Sequence, residues 1–174
     1  MVAYGLGWVN FFPALCVNYS PAMTPFKINI DKERNYLGEL PSIFSIIKKE
    51  QADNDEIIFD IDGNKIKIEV PSKTFEDYQS ISKNLQLQPI IHATIIFPAL
   101  IYTFENLRIC CCENYEDNRW FRALRKTLAK SQIILDESVF EKYSSYSLAQ
   151  RLLNSPVTKG IAGLVKLTEG EDDE

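Results

Sequence analysis

The clearest pattern of apolar and polar positions is a two-fold alternation across residues 57–70. Ile57, Phe59 and Ile61 fall on one face of the first half, and Ile66, Ile68 and Val70 on one face of the second. A period of two belongs to strands with one buried side. Between the halves, Gly63-Asn64 suits a two-residue turn, because both residues tolerate positive φ. That turn sets Ile61 against Ile66, Phe59 against Ile68 and Ile57 against Val70. On the other face Asp60 meets Lys67, Asp62 meets Lys65, and Ile58 lies beside Glu69. An Asp62-Gly63 turn would instead oppose Ile61 and Asn64. One register satisfies core, turn and charge together, which predicts a hairpin.

Other strands are expected before it. Val2, Tyr4, Leu6 and Trp8 alternate with Ala3, Gly5, Gly7 and Val9, residues 14–19 can extend after Pro13, and Phe26, Ile28 and Ile30 alternate with Lys27, Asn29 and Asp31. Leu37, Leu40, Ile43, Phe44 and Ile47 recur at helical spacing, with Lys48 and Lys49 placed to complement a helix C-terminus, which predicts a helix there. Residues 51–56 form a polar connection.

Beyond Pro71 the spacing turns helical. Ser72 or Thr74 caps a short helix carrying Phe75, Tyr78 and Ile81. Pro89 opens an apolar helix through Leu107, and Pro98 inside it must bend it or split it in two, since a mid-helix proline costs about 3 kcal/mol. Residues 119–131 form an amphipathic helix, residues 137–142 and 148–153 shorter ones. Ser155-Pro156 opens a last helix along Val157, Ile161, Leu164 and Val165. Gly160 and Gly163 on it permit close approach to another backbone. Strands first and helices later predict an α+β fold. The expectation is one domain over residues 1–168: a small antiparallel sheet, made of the N-terminal strands plus hairpin 57–70, packed on a helical C-terminal half.

Composition alters this picture little. The net charge is −5, but Glu169, Glu171, Asp172, Asp173 and Glu174 supply five of the 24 acidic residues, and the other 19 match the 19 lysines and arginines. Residues 169–174 therefore read as a frayed, solvated tail on a neutral body, without the basic field that concentrates nucleic acid. The run Cys110-Cys111-Cys112 fits neither disulfide geometry between neighbours nor C-x₂-C zinc spacing, and all four cysteines, Cys16 included, are read as reduced thiols in a cytoplasmic setting. Residues 1–26 and 84–104 carry no charge, yet polar and proline interruptions in the first, and the length of the apolar part 89–102 of the second, favour burial over membrane insertion.

Candidate chemistry is sparse. His92 is the only histidine, which removes multi-histidine metal sites, and it sits among Ile90, Ile91, Ile95 and Ile96 like a core residue. It remains the one weak candidate base, for an enzyme using a carboxylate or cysteine nearby. Gly5 and Gly7 form no dinucleotide fingerprint, a Walker A run is missing, and the Asp60/Asp62 and Glu113/Glu116/Asp117 carboxylates are explained by turns, helix starts and lysine partners. No cofactor and no metal are expected. Arg119, Arg122, Lys126 and Lys130 fall at i, i+3, i+7 and i+11, a basic stripe opposite Phe121, Leu124 and Leu128, with Trp120 at the border; it suits phosphates, nucleic acid or an acidic partner. The leading expectation is a non-catalytic interaction or assembly module of a larger soluble complex, with a protein partner or self-association, no membrane, and Trp8, Phe11 and Phe12 as an apolar partner surface.

Overall fold

The computed structural model describes residues 43–50 and 55–169. The expected N-terminal strands, Trp8, Phe11, Phe12, Cys16, Leu37, Leu40 and tail residues 170–174 lie outside the described residues.

Three strands form one sheet in the order β1-β3-β2, with β1 Phe44–Lys48, β2 Ile58–Asp60 and β3 Ile66–Val70. The hairpin takes the register that its sequence dictates: Ile58 pairs Glu69, Phe59 pairs Ile68 and Asp60 pairs Lys67. Ile61, Ile66, Ile68 and Val70 are buried, whereas Ile57 is half-open at the far end. Across the other face Lys67 Nζ lies 2.7 Å from Asp60 Oδ2, and the Asp62 N–H donates to Asp60 Oδ1 at 2.9 Å. Partial burial pushes the Asp60 carboxyl upward, but the Lys67 and Asp62 bonds outweigh it and hold its pKa below the ordinary value. The same bond raises Lys67.

The helix expected at Ile43, Phe44 and Ile47 is instead strand β1. It runs parallel to β3, with Phe44 opposite Ile66, Ile46 opposite Ile68 and Lys48 opposite Val70. Its buried residues, Phe44 and Ile46, follow a period of two, and pairing to β3 overrides the helical spacing. The sheet is therefore mixed, not wholly antiparallel, within the α+β class.

Helix α1 (Ser72–Ile81) packs beside β1. A single helical run then extends from Leu85 to Cys110. It comprises a 3₁₀ turn at Leu85–Leu87, α2 (Gln88–Ile91), a π turn at His92–Ile96 and α3 (Phe97–Cys110). Pro98 neither breaks nor divides it. Proline at 98 has no N–H for Thr94, and the π turn absorbs the defect, the Phe97 N–H donating to the His92 carbonyl. The run is longer than its apolar core suggested, and it is the one helix among the described residues long and apolar enough to cross a membrane; 39% of its most apolar window is buried inside the fold. Leu100, Phe104 and Leu107 are fully buried, and α3 packs against α6 (Ser145–Leu153) and β3.

Helix α4 (Arg119–Ala129) turns Phe121, Leu124 and Leu128 into the core. Trp120 is not at the border but fully buried, and its indole Nε1 donates to the Ile61 carbonyl at 3.0 Å. A short α5 (Val139–Lys142) precedes α6, which ends on Asn154 in the left-handed conformation that asparagine tolerates. The last helix, α7 (Pro156–Glu169), includes Glu169, so the acidic segment begins as helix.

Candidate interaction surface

Helix α7 meets the rest of the fold mainly through α2 and the turns on either side of it. Its buried residues are Pro156 and Gly160. A Cβ on Gly160 would lie 2.9 Å from Ala93 Cβ and 3.3 Å from the Pro89 carbonyl, so the glycine is what permits this close seat. A Cβ on Gly163 would have more room, 3.6 Å from both the Gln86 carbonyl oxygen and Ile90 Cγ1. The close approach expected of these glycines is thus intramolecular.

At about 100° per residue, Pro156, Gly160, Gly163 and Leu167 share one face of α7. Val157, Ile161, Leu164 and Val165 share another, roughly a third of a turn away. That second face is uncovered among the described residues: Ile161 is 59% exposed, Leu164 51%, Val165 46% and Val157 38%. A run of apolar side chains at i, i+4, i+7 and i+8 ordinarily faces a core. Here glycines take the inner position, and the large side chains project outward. Scattered apolar residues on a surface are ordinary, but a contiguous stripe along one helix marks a surface that meets something. Lys159 and Lys166 point to the far side by the same helical geometry, leaving the stripe uncharged.

The basic stripe has the expected placement. Arg119, Arg122, Lys126 and Lys130 are all exposed on α4, opposite the buried apolar face. Its field is diluted at the N-terminal end, where Glu116 holds Arg125 at 3.4 Å.

His92 stands in the π turn, half-buried. Desolvation lowers its pKa, and the charge of Lys159 lowers it further, so the imidazole is neutral near pH 7. The charged side chain acting on it is a lysine and not the carboxylate that would orient a general base. Cys110, Cys111 and Cys112 lie elsewhere, at the end of α3. Cys111 ends α3 with φ 64° and ψ 140°, and lines a shallow cleft of about 320 Å³ with Arg108, Glu137 and Phe140. The Glu137 carboxylate accepts from the thiol, which keeps it protonated and raises its pKa. Burial, followed by the charges of Glu137 and Asp136, pushes Cys112 up to about 11. Activated cysteines need the opposite shift. A second, polar groove of about 550 Å³ runs between Ser131, Tyr146, Gln150, Arg151 and Asn154. His92 lines neither cleft. Among the described residues, no group of three or more His, Cys, Asp or Glu side chains is placed to hold a metal ion.

The structure thus brings together the four apolar residues of α7, keeps the α4 cations in one row, and separates His92 from the cleft lined by Cys111. The outward direction of the apolar line on α7 is the feature that the sequence reading did not specify. Its signal was present: the glycine line and the aliphatic line fall on different faces of one helical wheel. Comparison with protein-family models, curated proteins and solved structures gives no match.

Proposed function

We propose that the protein is a non-catalytic interaction module that docks a protein partner through the exposed face of α7. The observation that carries this reading is the outward stripe Val157, Ile161, Leu164 and Val165 on a helix seated by glycines. An amphipathic helix from the partner, laid against these positions, would bury them as in helix-in-groove recognition. The raised thiols and the neutral His92 beside Lys159 support a module without a nucleophilic centre. The free thiols at 110–112 suit a reducing, cytoplasmic setting. A benzophenone side chain placed at Val165 in the full-length protein, irradiated in its native cells, tests the reading. It should crosslink one dominant partner, and Ile161→Asp should abolish that product; crosslinks that survive the substitution would refute docking here.

A second reading, binding of phosphate-bearing ligands by α4, is favoured by the exposure of all four stripe cations. Binding of a short oligonucleotide at low salt, weakening as salt rises, is its test.

A further inference from the structure

Helix α7 sits on α2 and the π turn through a narrow seat, and its buried residues are Pro156 and Gly160. At that seat Gly160 lies against Ala93, so close that an added Cβ would come within 2.9 Å of the Ala93 Cβ. No layer of water fits between the two helices there. The residues immediately before this pair are Lys159 on α7 and His92 on the π turn. The contact of Gly160 with Ala93 therefore brings an ammonium-bearing side chain and an imidazole to the rim of one seat. Most of α7 beyond the seat is exposed, so it is the element that opens at least cost.

The charges around His92 are one-sided among the described residues. The elements packed on the π turn are α2, α3 and α7. Helix α2 has no ionisable side chain. On α3 the first is Tyr102, about 15 Å along the helix, and Glu105, Arg108 and Cys110 lie farther still. On α7 Lys159 acts on the imidazole, while Lys166 and Glu169 lie about 10 and 15 Å beyond it. An imidazolium here would be half-buried beside a lysine, with no carboxylate near it on these elements to balance the charge. Burial and Lys159 both lower the pKa of His92. The seat is thus favoured above the unfolded value of about 6.5 and loses that advantage as pH falls through the folded one.

We propose that protonation of His92 releases α7 from α2 and the π turn, which makes the helix an acid-responsive element of the fold. Release does not depend on whether α7 docks a partner, and it carries the apolar stripe away from the body that presents it.

Amide hydrogen exchange of the full-length protein at about pH 7.5 and about pH 5.5 tests this, with rates corrected for their intrinsic pH dependence. Protection along α7 should fall severalfold at the lower pH, while protection of α3 and α6 holds. His92→Gln should remove the response. Lys159→Glu places a carboxylate beside the imidazole, so acidification should then leave α7 protection unchanged or raise it. Protection of α7 that ignores pH in the parent chain overturns the inference, since the imidazole then turns to water instead. A fall shared equally by α3 and α6 overturns it too, by assigning the change to the whole fold. So does a response that persists at full size in Lys159→Glu, an exposed position that keeps the test decisive even where His92→Gln fails to fold. Failure of the docking reading is separate, since it is read from crosslinks at position 165 and not from exchange.

Discussion

The indole Nε1 of Trp120, at the start of α4, donates to the carbonyl oxygen of Ile61, at the end of the hairpin's first strand, across 3.0 Å. Asn118 Nδ2 reaches the same carbonyl at 3.4 Å, and Asn64 Oδ1 accepts from the Arg119 N–H at 3.4 Å. The turn of the hairpin is thus tied to the N-terminus of a helix more than fifty residues later. Trp120→Phe keeps most of the packing and removes the indole bond, leaving Ile61 with the longer contact. It should cost about 1–2 kcal/mol in urea denaturation, and Trp120→Ala about 3–5 kcal/mol. An unchanged midpoint for both would mean the hairpin and α4 are not energetically joined.

The two glycines of α7 should respond with opposite signs. Alanine at Gly163 meets only ordinary contacts and improves helix propensity, so Gly163→Ala should stabilise by about 0.5–1 kcal/mol. Alanine at Gly160 collides with Ala93 Cβ, which has no flexible end to move aside. Gly160→Ala should therefore lose that gain and destabilise by about 1 kcal/mol. Thermal denaturation of the pair distinguishes them without any binding assay.

His92 gives a pH dependence with a definite sign. Its pKa is lowered in the fold by burial and by Lys159, so below the unfolded value of about 6.5 the unfolded chain binds more protons. Stability from this group is present above that pH and is lost as pH falls through the folded pKa. His92→Gln should flatten the denaturation midpoint between about pH 7.5 and pH 5.5 relative to the parent chain. A parallel slope in both proteins would show that His92 is not desolvated.

Removing the α4 cations should leave the fold intact. Arg122→Glu with Lys126→Glu changes exposed positions, so the denaturation midpoint should stay within about 0.5 kcal/mol. Oligonucleotide binding at low salt, measured by fluorescence anisotropy, should disappear with these charges if α4 binds phosphates; binding that persists would remove that second reading.

How much of this was legible depended on where the partner of each residue lies. The pairing of Phe59 with Ile68 and of Asp60 with Lys67 is local, and turn chemistry, apolar face and charge all select it. Strand β1 has its partner about twenty residues away, and nothing near Phe44 announces a parallel neighbour. Its isoleucines therefore matched a helix as well as a strand. Pro98 was correctly seen as a defect, but a π turn and a break remove the same hydrogen bond and look alike in sequence. Trp120 was placed at a border because a helical wheel does not reveal the Ile61 carbonyl waiting beneath it. On α7 the glycines make the close backbone approach expected of them, to α2, whereas the side taken by the aliphatic line depends on that distant contact and was not specified. The basic row on α4 and its buried opposite face needed only the helical period, and both were legible.

The most direct test of α7 as a docking face compares binding and stability in one variant, Ile161→Asp with Leu164→Asp. Partner affinity, measured by titration with the protein crosslinked from position 165, should fall by a factor on the order of 10² or more, as expected when two central apolar contacts are lost. The unfolding free energy should change by less than about 1 kcal/mol, since both side chains are exposed. Undiminished affinity at intact stability would contradict the docking assignment. A loss of stability of several kcal/mol would contradict it equally, by placing these residues in the protein's own core.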